Sequence, residues 1–138
     1  MCAGKGTRNF CSCANGQAAA NDACTMHGAE ACVACEDGYH MVGASCVAHT
    51  PCSAGHYETT AGTQANDRMC TAWRTCAAGT GMTAEGTATK DRQCGACTVG
   101  SSFSDANDGA ECTGALVCKG GEYETQAATA TSDRTCAT

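Results

Sequence analysis

The sequence predicts a small disulfide-rich fold: tandem cysteine-rich beads of short β-hairpins and loops forming an extended rod, with little or no helix. Three observations predict it. Of 138 residues, 15 are Cys, and a fraction of about 11% lies in the range where composition alone points to a disulfide scaffold. Large apolar side chains number only 17: one Leu, no Ile, five Val, five Met, two Phe, one Trp and three Tyr. A cysteine-bounded pattern also recurs along the chain, the mark of an array architecture.

The apolar count decides what the chain cannot be. Burying so little area at roughly 25 cal/mol per Å² falls far short of an ordering entropy of about 1–2 kcal/mol per residue. Covalent links must supply the difference. A doubly wound sheet, a TIM barrel, a helical bundle and catalysis that needs a deep dry pocket are excluded. The net charge of −6 comes with eight Lys plus Arg scattered singly, so no basic face exists for nucleic acid or an anionic membrane surface. No apolar run approaches the 18 or so residues of a membrane span. Residues 1–10 lack the apolar stretch of a secretory signal, yet the cysteine load requires an oxidising compartment. The expected setting is extracellular or cell-surface, with the chain a processed or partial product of a secreted protein.

Three segments align without a gap: Cys52–Cys70, Cys76–Cys94 and Cys118–Cys136 all read C-x2-G-x3-T-x3-T-x3-D-R-x-C. Two shorter relatives, Cys35–Cys46 and Cys97–Cys112, keep C-x2-G near an aromatic residue. The economical pairing joins the two ends of each bead: Cys35–Cys46, Cys52–Cys70, Cys76–Cys94, Cys97–Cys112 and Cys118–Cys136. This gives an N-terminal module at 1–46, two tandem repeats at 47–94, and a short bead plus the third long repeat at 95–138.

Each fixed position has a physical reading. Gly55, Gly79 and Gly121 permit the positive φ of a tight turn. Tyr57 and Tyr123 offer apolar area over the disulfide, and Gly81 stands at their position in the middle bead. The paired threonines, Thr59/Thr63, Thr83/Thr87 and Thr125/Thr129, favour short extended segments. The Asp of each Asp-Arg pair caps a turn through its backbone, and Arg68 and Arg134 are expected to lie across the bead's Tyr. Trp73 and Leu116-Val117 fall in spacers, where packing between successive beads competes with contact to another subunit. In the second case Trp73, Tyr57 and Tyr123 are the interface anchors.

The stretch Cys11–Cys46, with C-x-C-x-N-G-x-A followed by C-x2-C-x2-G-Y-x3-G-x2-C, resembles the EGF-like modules of large protist surface proteins. That resemblance implies Cys11–Cys24 and Cys13–Cys32 pairing beside Cys35–Cys46, and leaves Cys2 as the unpaired fifteenth cysteine. The later beads resemble tumour-necrosis-factor-receptor-type and ephrin-receptor-type cysteine-rich repeats. Such repeats serve receptors, matrix proteins and filaments alike, so they specify architecture more than function.

Site chemistry is sparse. Cys32-x2-Cys35, Cys94-x2-Cys97 and Cys46-x2-His49-x2-Cys52-x3-His56 have ligand-like spacing, but the periodicity assigns each of these cysteines to a disulfide, and no metal and no cofactor is expected. The acidic run Asp105–Glu111 is shorter than a calcium loop and lacks flanking helices; an Asn-Asp-Gly turn fits it better. The four His and seven Ser form no nucleophile–base set that spacing singles out, so no catalytic residue is expected. O-linked glycans on Thr59, Thr63, Thr83, Thr87, Thr125 or Thr129 are an expectation from exposure alone. The resulting expectation is a non-enzymatic extracellular structural protein whose copies self-assemble into a filament or coat, with Cys2 available for an intermolecular link; flagellar-hair (mastigoneme) proteins of algae are the family it resembles in this respect. The alternative is a receptor-like module that binds an extracellular protein ligand.

Overall fold

A chain with so few large side chains can hold only short elements, each closed by a covalent staple, and the computed structural model has this form over the residues it describes, 8–138. Strands pair in sequence order: β1 (Gly16–Ala18) with β2 (Cys32–Cys35), β3 (Tyr39–Val42) with β4 (Ser45–Ala48), and β5 (His56–Thr60) with β6 (Met69–Ala72). The series continues with β7 (Thr80–Ala84) on β8 (Gln93–Ala96), β9 (Ser102–Phe103) on β10 (Thr113–Gly114), and β11 (Tyr123–Gln126) on β12 (Thr135–Ala137). Every sheet is two-stranded. Among the described residues the helical content is one 3₁₀ turn at Asn21–Ala23.

Seven disulfides join Cys11–Cys24, Cys13–Cys32, Cys35–Cys46, Cys52–Cys70, Cys76–Cys94, Cys97–Cys112 and Cys118–Cys136. The buried apolar residues are Cys24, Cys35, Cys46, Cys76 and Cys97 with Ala19 and Ala128. Sulfur and methyl groups take the place of a conventional core.

The C-x2-G sequences that open the five beads form the same turn. Gly38, Gly55, Gly79, Gly100 and Gly121 have φ between +81° and +89°, and the residue after each Gly donates its N–H to the carbonyl three residues earlier, at 2.9–3.1 Å. Glycine at the third position with this φ is the requirement of a type II turn.

The first repeated Thr has a second local role. In β7–β8 the pairing steps from Met82↔Cys94 to Ala84↔Gln93, and in β11–β12 from Glu124↔Cys136 to Gln126↔Thr135. Thr83 and Thr125 are thus the extra residues of β-bulges, which increase local twist. The Thr125 hydroxyl donates to the Thr135 carbonyl at 3.1 Å, and Thr59 donates to the equivalent Met69 carbonyl at 3.2 Å. The second Thr corrects the expectation of strand. Thr63, Thr87 and Thr129 lie in loops, where each N–H bonds the carbonyl three residues on and each Oγ1 accepts a nearby backbone N–H, from Ala65, Thr89 and Thr131 respectively. A hydroxyl that can satisfy the backbone locally stabilises a turn over a ladder.

The chain clusters into two compact units, one of residues up to Cys52 with Glu58–Cys70, the other of Ser53–Tyr57 with Thr71–Thr138. In the second unit the short bead is tied to its neighbours by backbone bonds: Cys76 and Asp108 exchange N–H···O bonds, Gly79 donates to Ser104, and Ser104 donates to Ala130. Gly81 now has a reason. A Cβ there would stand 2.7 Å from Cys112 Sγ, so the Cys97–Cys112 bridge occupies the space that a Tyr side chain would need.

Candidate functional site: the aspartate clamp and the bead faces

The conserved chemistry of the three long beads lies in their Asp-Arg pairs. One oxygen, Oδ1, of each Asp accepts two backbone N–H groups. One is from the following Arg: Arg68 to Asp67 at 2.8 Å, Arg92 to Asp91 at 2.7 Å and Arg134 to Asp133 at 2.7 Å. The other is from the spacer, two residues before the bead's opening cysteine: Thr50 at 2.9 Å, Arg74 at 2.8 Å and Leu116 at 2.7 Å. The same carboxylate therefore caps the end of a bead and holds the chain that enters it.

Charge reinforces two of these clamps. Hydrogen bonds from Thr50, side chain first and then backbone, with those from Arg68 N–H and the His49 ring, hold the Asp67 carboxyl well below the usual carboxylate range against opposing desolvation. Asp91 is lowered too, chiefly by the Arg74 side chain and then the Arg74 N–H; Arg74 Nε lies 2.7 Å from Asp91 Oδ2. The same bond raises Arg74 above its ordinary value.

The arginines do not lie across the tyrosines. Arg68 pairs with Glu58 at 3.1 Å and Arg134 with Glu124 at 3.2 Å, because a carboxylate six residues after the opening cysteine is a stronger partner than a ring face. In the middle bead that position is Met82. Arg92 turns instead to the Trp73 ring, 5.6 Å from its centroid, and to the Arg74 carbonyl at 3.2 Å.

Trp73 joins two beads: its backbone N–H donates to the Gly55 carbonyl of the preceding bead at 2.8 Å, and its ring packs on the bead that follows. Its Nε1 donates to the Thr87 carbonyl at 3.1 Å, and the ring covers Gly86 so closely that a Cβ there would strike it. His49 covers Gly62 in the same way. Both lie three residues before an opening cysteine and meet a glycine ten residues after it; the third long bead has Ala115 and Ala128 at these positions, with Ala128 4% exposed. Leu116 and Val117 are not packed between beads: they are 49% and 75% exposed. Tyr57 is half-buried and Tyr123 is 61% exposed, so Tyr123 covers little of its disulfide. Cys2 lies outside the described residues.

The ligand-like cysteine spacings do not converge on a site of free thiolates. Cys32 and Cys35 belong to different disulfides, as do Cys94 and Cys97 and also Cys46 and Cys52. Sulfurs of Cys13, Cys32 and Cys46 lie close together, but all are oxidised. His56 Nδ1 faces the Ala54 carbonyl at 3.3 Å. Within the acidic run, Asp108 accepts the Ala110 N–H and Asn107 accepts the Ala78 N–H, a turn and a tie to the preceding bead.

Residues 52–94 match the TNFR/NGFR cysteine-rich region. The matched segment holds the first two long beads, the complete Asp91 clamp and the Trp73 spacer, and leaves Thr50 of the Asp67 clamp, the N-terminal module and the last two beads outside it. No curated protein matches the chain. Among the described residues no helix is long and apolar enough to cross a membrane.

Proposed function

We propose that the chain is a non-catalytic extracellular or cell-surface module that binds a protein ligand through the faces of its beads. The match of two consecutive beads to the TNFR/NGFR cysteine-rich region carries this reading. Seven disulfides fit the oxidising setting it requires. The aspartate clamps fix the entry into each long bead, so side chains on the faces are presented with little ordering left to do on binding, which favours affinity. Tyr123, with most of its ring in solvent, is the anchor of choice, since Tyr is enriched among hot-spot residues. Trp73 supports the fold of the matched segment.

A second reading, self-assembly into a filament or coat like that of EGF-like flagellar-hair proteins, draws on a different feature. Every hairpin among the described residues is a two-stranded sheet, and a strand edge left without a partner can pair with another chain. Any O-glycan in either setting fits Thr63, Thr83, Thr87 or Thr129 better than Thr59 and Thr125, whose hydroxyl hydrogens are donated to carbonyls and would be lost on glycosylation.

One experiment separates the two readings. The disulfide-bonded chain is tested against a panel of secreted and cell-surface ectodomains, with its mass measured across concentration. A monomer with a saturable partner, weakened at least tenfold by Tyr123→Ala, supports the binding module. Mass that rises with concentration and no partner supports the filament.

A further inference from the structure

The first compact unit brings together two histidines and a carboxylate that the sequence keeps far apart. His40 lies on β3, opposite Val47 of β4. His49 follows β4, its N–H bonded to the Gly38 carbonyl at 2.8 Å. Asp67 belongs to the closing loop of the first long bead, which is tied to β3 by the Met41 N–H to Gln64 carbonyl bond at 2.8 Å. The two imidazoles are stacked, centroids 5.3 Å apart and planes 6° from parallel. His49 Nδ1 is 3.3 Å from Asp67 Oδ1.

His49, whose side chain is 7% exposed, fills the slot that Trp73 fills in the next bead, and two features go beyond that packing role. His40 Nδ1 is buried without a hydrogen-bond partner, a state that ordinarily costs stability. One donor atom from each of the three side chains lies within 4.8 Å of the others.

We propose that His40, His49 and Asp67 form a binding site for a divalent transition-metal ion, zinc by its donor set. Two imidazole nitrogens and one carboxylate oxygen are zinc ligands at about 2.0–2.2 Å, and tetrahedral placement at those lengths needs donors about 3.4 Å apart. The His49–Asp67 separation already meets this. A rotation of the His40 ring out of the stack, which turns its Nδ1 lone pair toward the ion, closes the set and gives that orphaned nitrogen a partner. Bound there, it joins the β3–β4 hairpin to the closing loop of the first long bead, two segments already tied by the Met41–Gln64 backbone bond. Imidazole with carboxylate excludes calcium and magnesium as the preferred ions, since both take oxygen ligands.

The test uses the full disulfide-bonded chain after chelation and dialysis, titrated with Zn²⁺ by calorimetry and with Co²⁺ by visible absorption. The expected result is one ion per chain, a Co²⁺ spectrum of low-coordinate nitrogen–oxygen type, and proton NMR shifts of the His40 and His49 rings on Zn²⁺ addition. His40→Ala removes no observed hydrogen bond but does remove the stack on His49, so the metal-free chain should keep its fold, read by its NMR spectrum, while binding Zn²⁺ at least tenfold more weakly. His49→Gln should weaken it similarly, and His56→Ala should not. Absence of saturable binding, shifts confined to His27 or His56, or affinity unchanged by His40→Ala would each overturn the proposal.

Discussion

Asp67, Asp91 and Asp133 each do the work of a helix cap without a helix. A single oxygen accepts two backbone N–H groups that would otherwise compete for water, and each bond to an ionised acceptor is stronger than a neutral one. The folded pKa values of Asp67 and Asp91 are lowered, which fixes the sign of the pH dependence. A carboxyl with a depressed folded pKa contributes its full stabilisation above the unfolded value of about 3.9 and loses it as pH falls below that. The guanidinium unfolding midpoint should therefore stay level near neutrality and decline from about pH 4.5 downward. The double variant Asp67→Asn, Asp91→Asn keeps the Oδ1 acceptor of each clamp, replaces Oδ2 by an amide nitrogen that cannot accept from Arg74 Nε, and removes the charges. Its midpoint should be lower at neutral pH and flatter in acid; a wild-type midpoint that stays level down to about pH 2 would sink the electrostatic part of the clamp.

The partner N–H of each clamp belongs to Thr50, Arg74 or Leu116. Because the backbone makes the bond, these side chains are unrelated, and no pattern search on residue type could have found the contact. The Asp itself was legible as a turn former, and half of its role with it.

At the scale of the element, each long bead depends on a size match between the spacer and the loop it meets. His49 with Gly62 and Trp73 with Gly86 pair a ring with no side chain, while Ala115 with Ala128 shares the space evenly. Neither Gly62 nor Gly86 has a positive φ, so the demand is for room rather than for backbone freedom. Gly86→Ala should displace the Trp73 ring, breaking its bond to Thr87 and its contact with Arg92. Overpacking of this kind costs about 1–3 kcal/mol, readable as a lower denaturation midpoint and a change in Trp fluorescence. Trp73→Ala in the same chain reproduces the alanine pair of the third bead, so the double variant should be more stable than the sum of the single losses. Additive losses in that cycle would show that the two positions are not coupled. The match was visible in principle, since large-with-Gly twice and Ala-with-Ala once is covariation within one chain. It was missed because neither position is constant across the repeats, and a motif written from constant positions leaves out those that compensate one another.

At the scale of the molecule, stability is local. Every disulfide spans 11–19 residues, and each lies within one of the two compact units. Hairpins, turns and the near-absence of helix could be read from the sequence, since Cys-x2-Gly and the bead period are local signals. The grouping of short and long beads in the second unit could not, because it rests on backbone bonds such as Gly79 to Ser104 and Ser104 to Ala130. The partners of the arginines also depended on context, as Met82 in place of a glutamate sends Arg92 to Trp73.

The Cys76–Cys94 and Cys118–Cys136 bridges separate two contributions to this local stability. Both close loops of the same sequence separation, 18 residues, so the unfolded-state entropy each removes is the same, about 3 kcal/mol. They differ in surroundings: Cys76 is 1% exposed and its backbone is paired with Asp108, while Cys118 is half-buried. Replacing both members of a bridge by Ser should therefore cost more at Cys76–Cys94, by the penalty of about 1–3 kcal/mol for a buried hydroxyl without a partner. Equal losses at the two sites would mean that loop closure alone sets bridge stability. Hydrogen exchange read on the same variants tests locality. Opening Cys118–Cys136 should raise exchange in β11 and β12 and leave β1 to β4 protected as before. Loss of protection in β1–β4 would show instead that the beads unfold as one cooperative body, contrary to the nearest-neighbour behaviour of a repeat array.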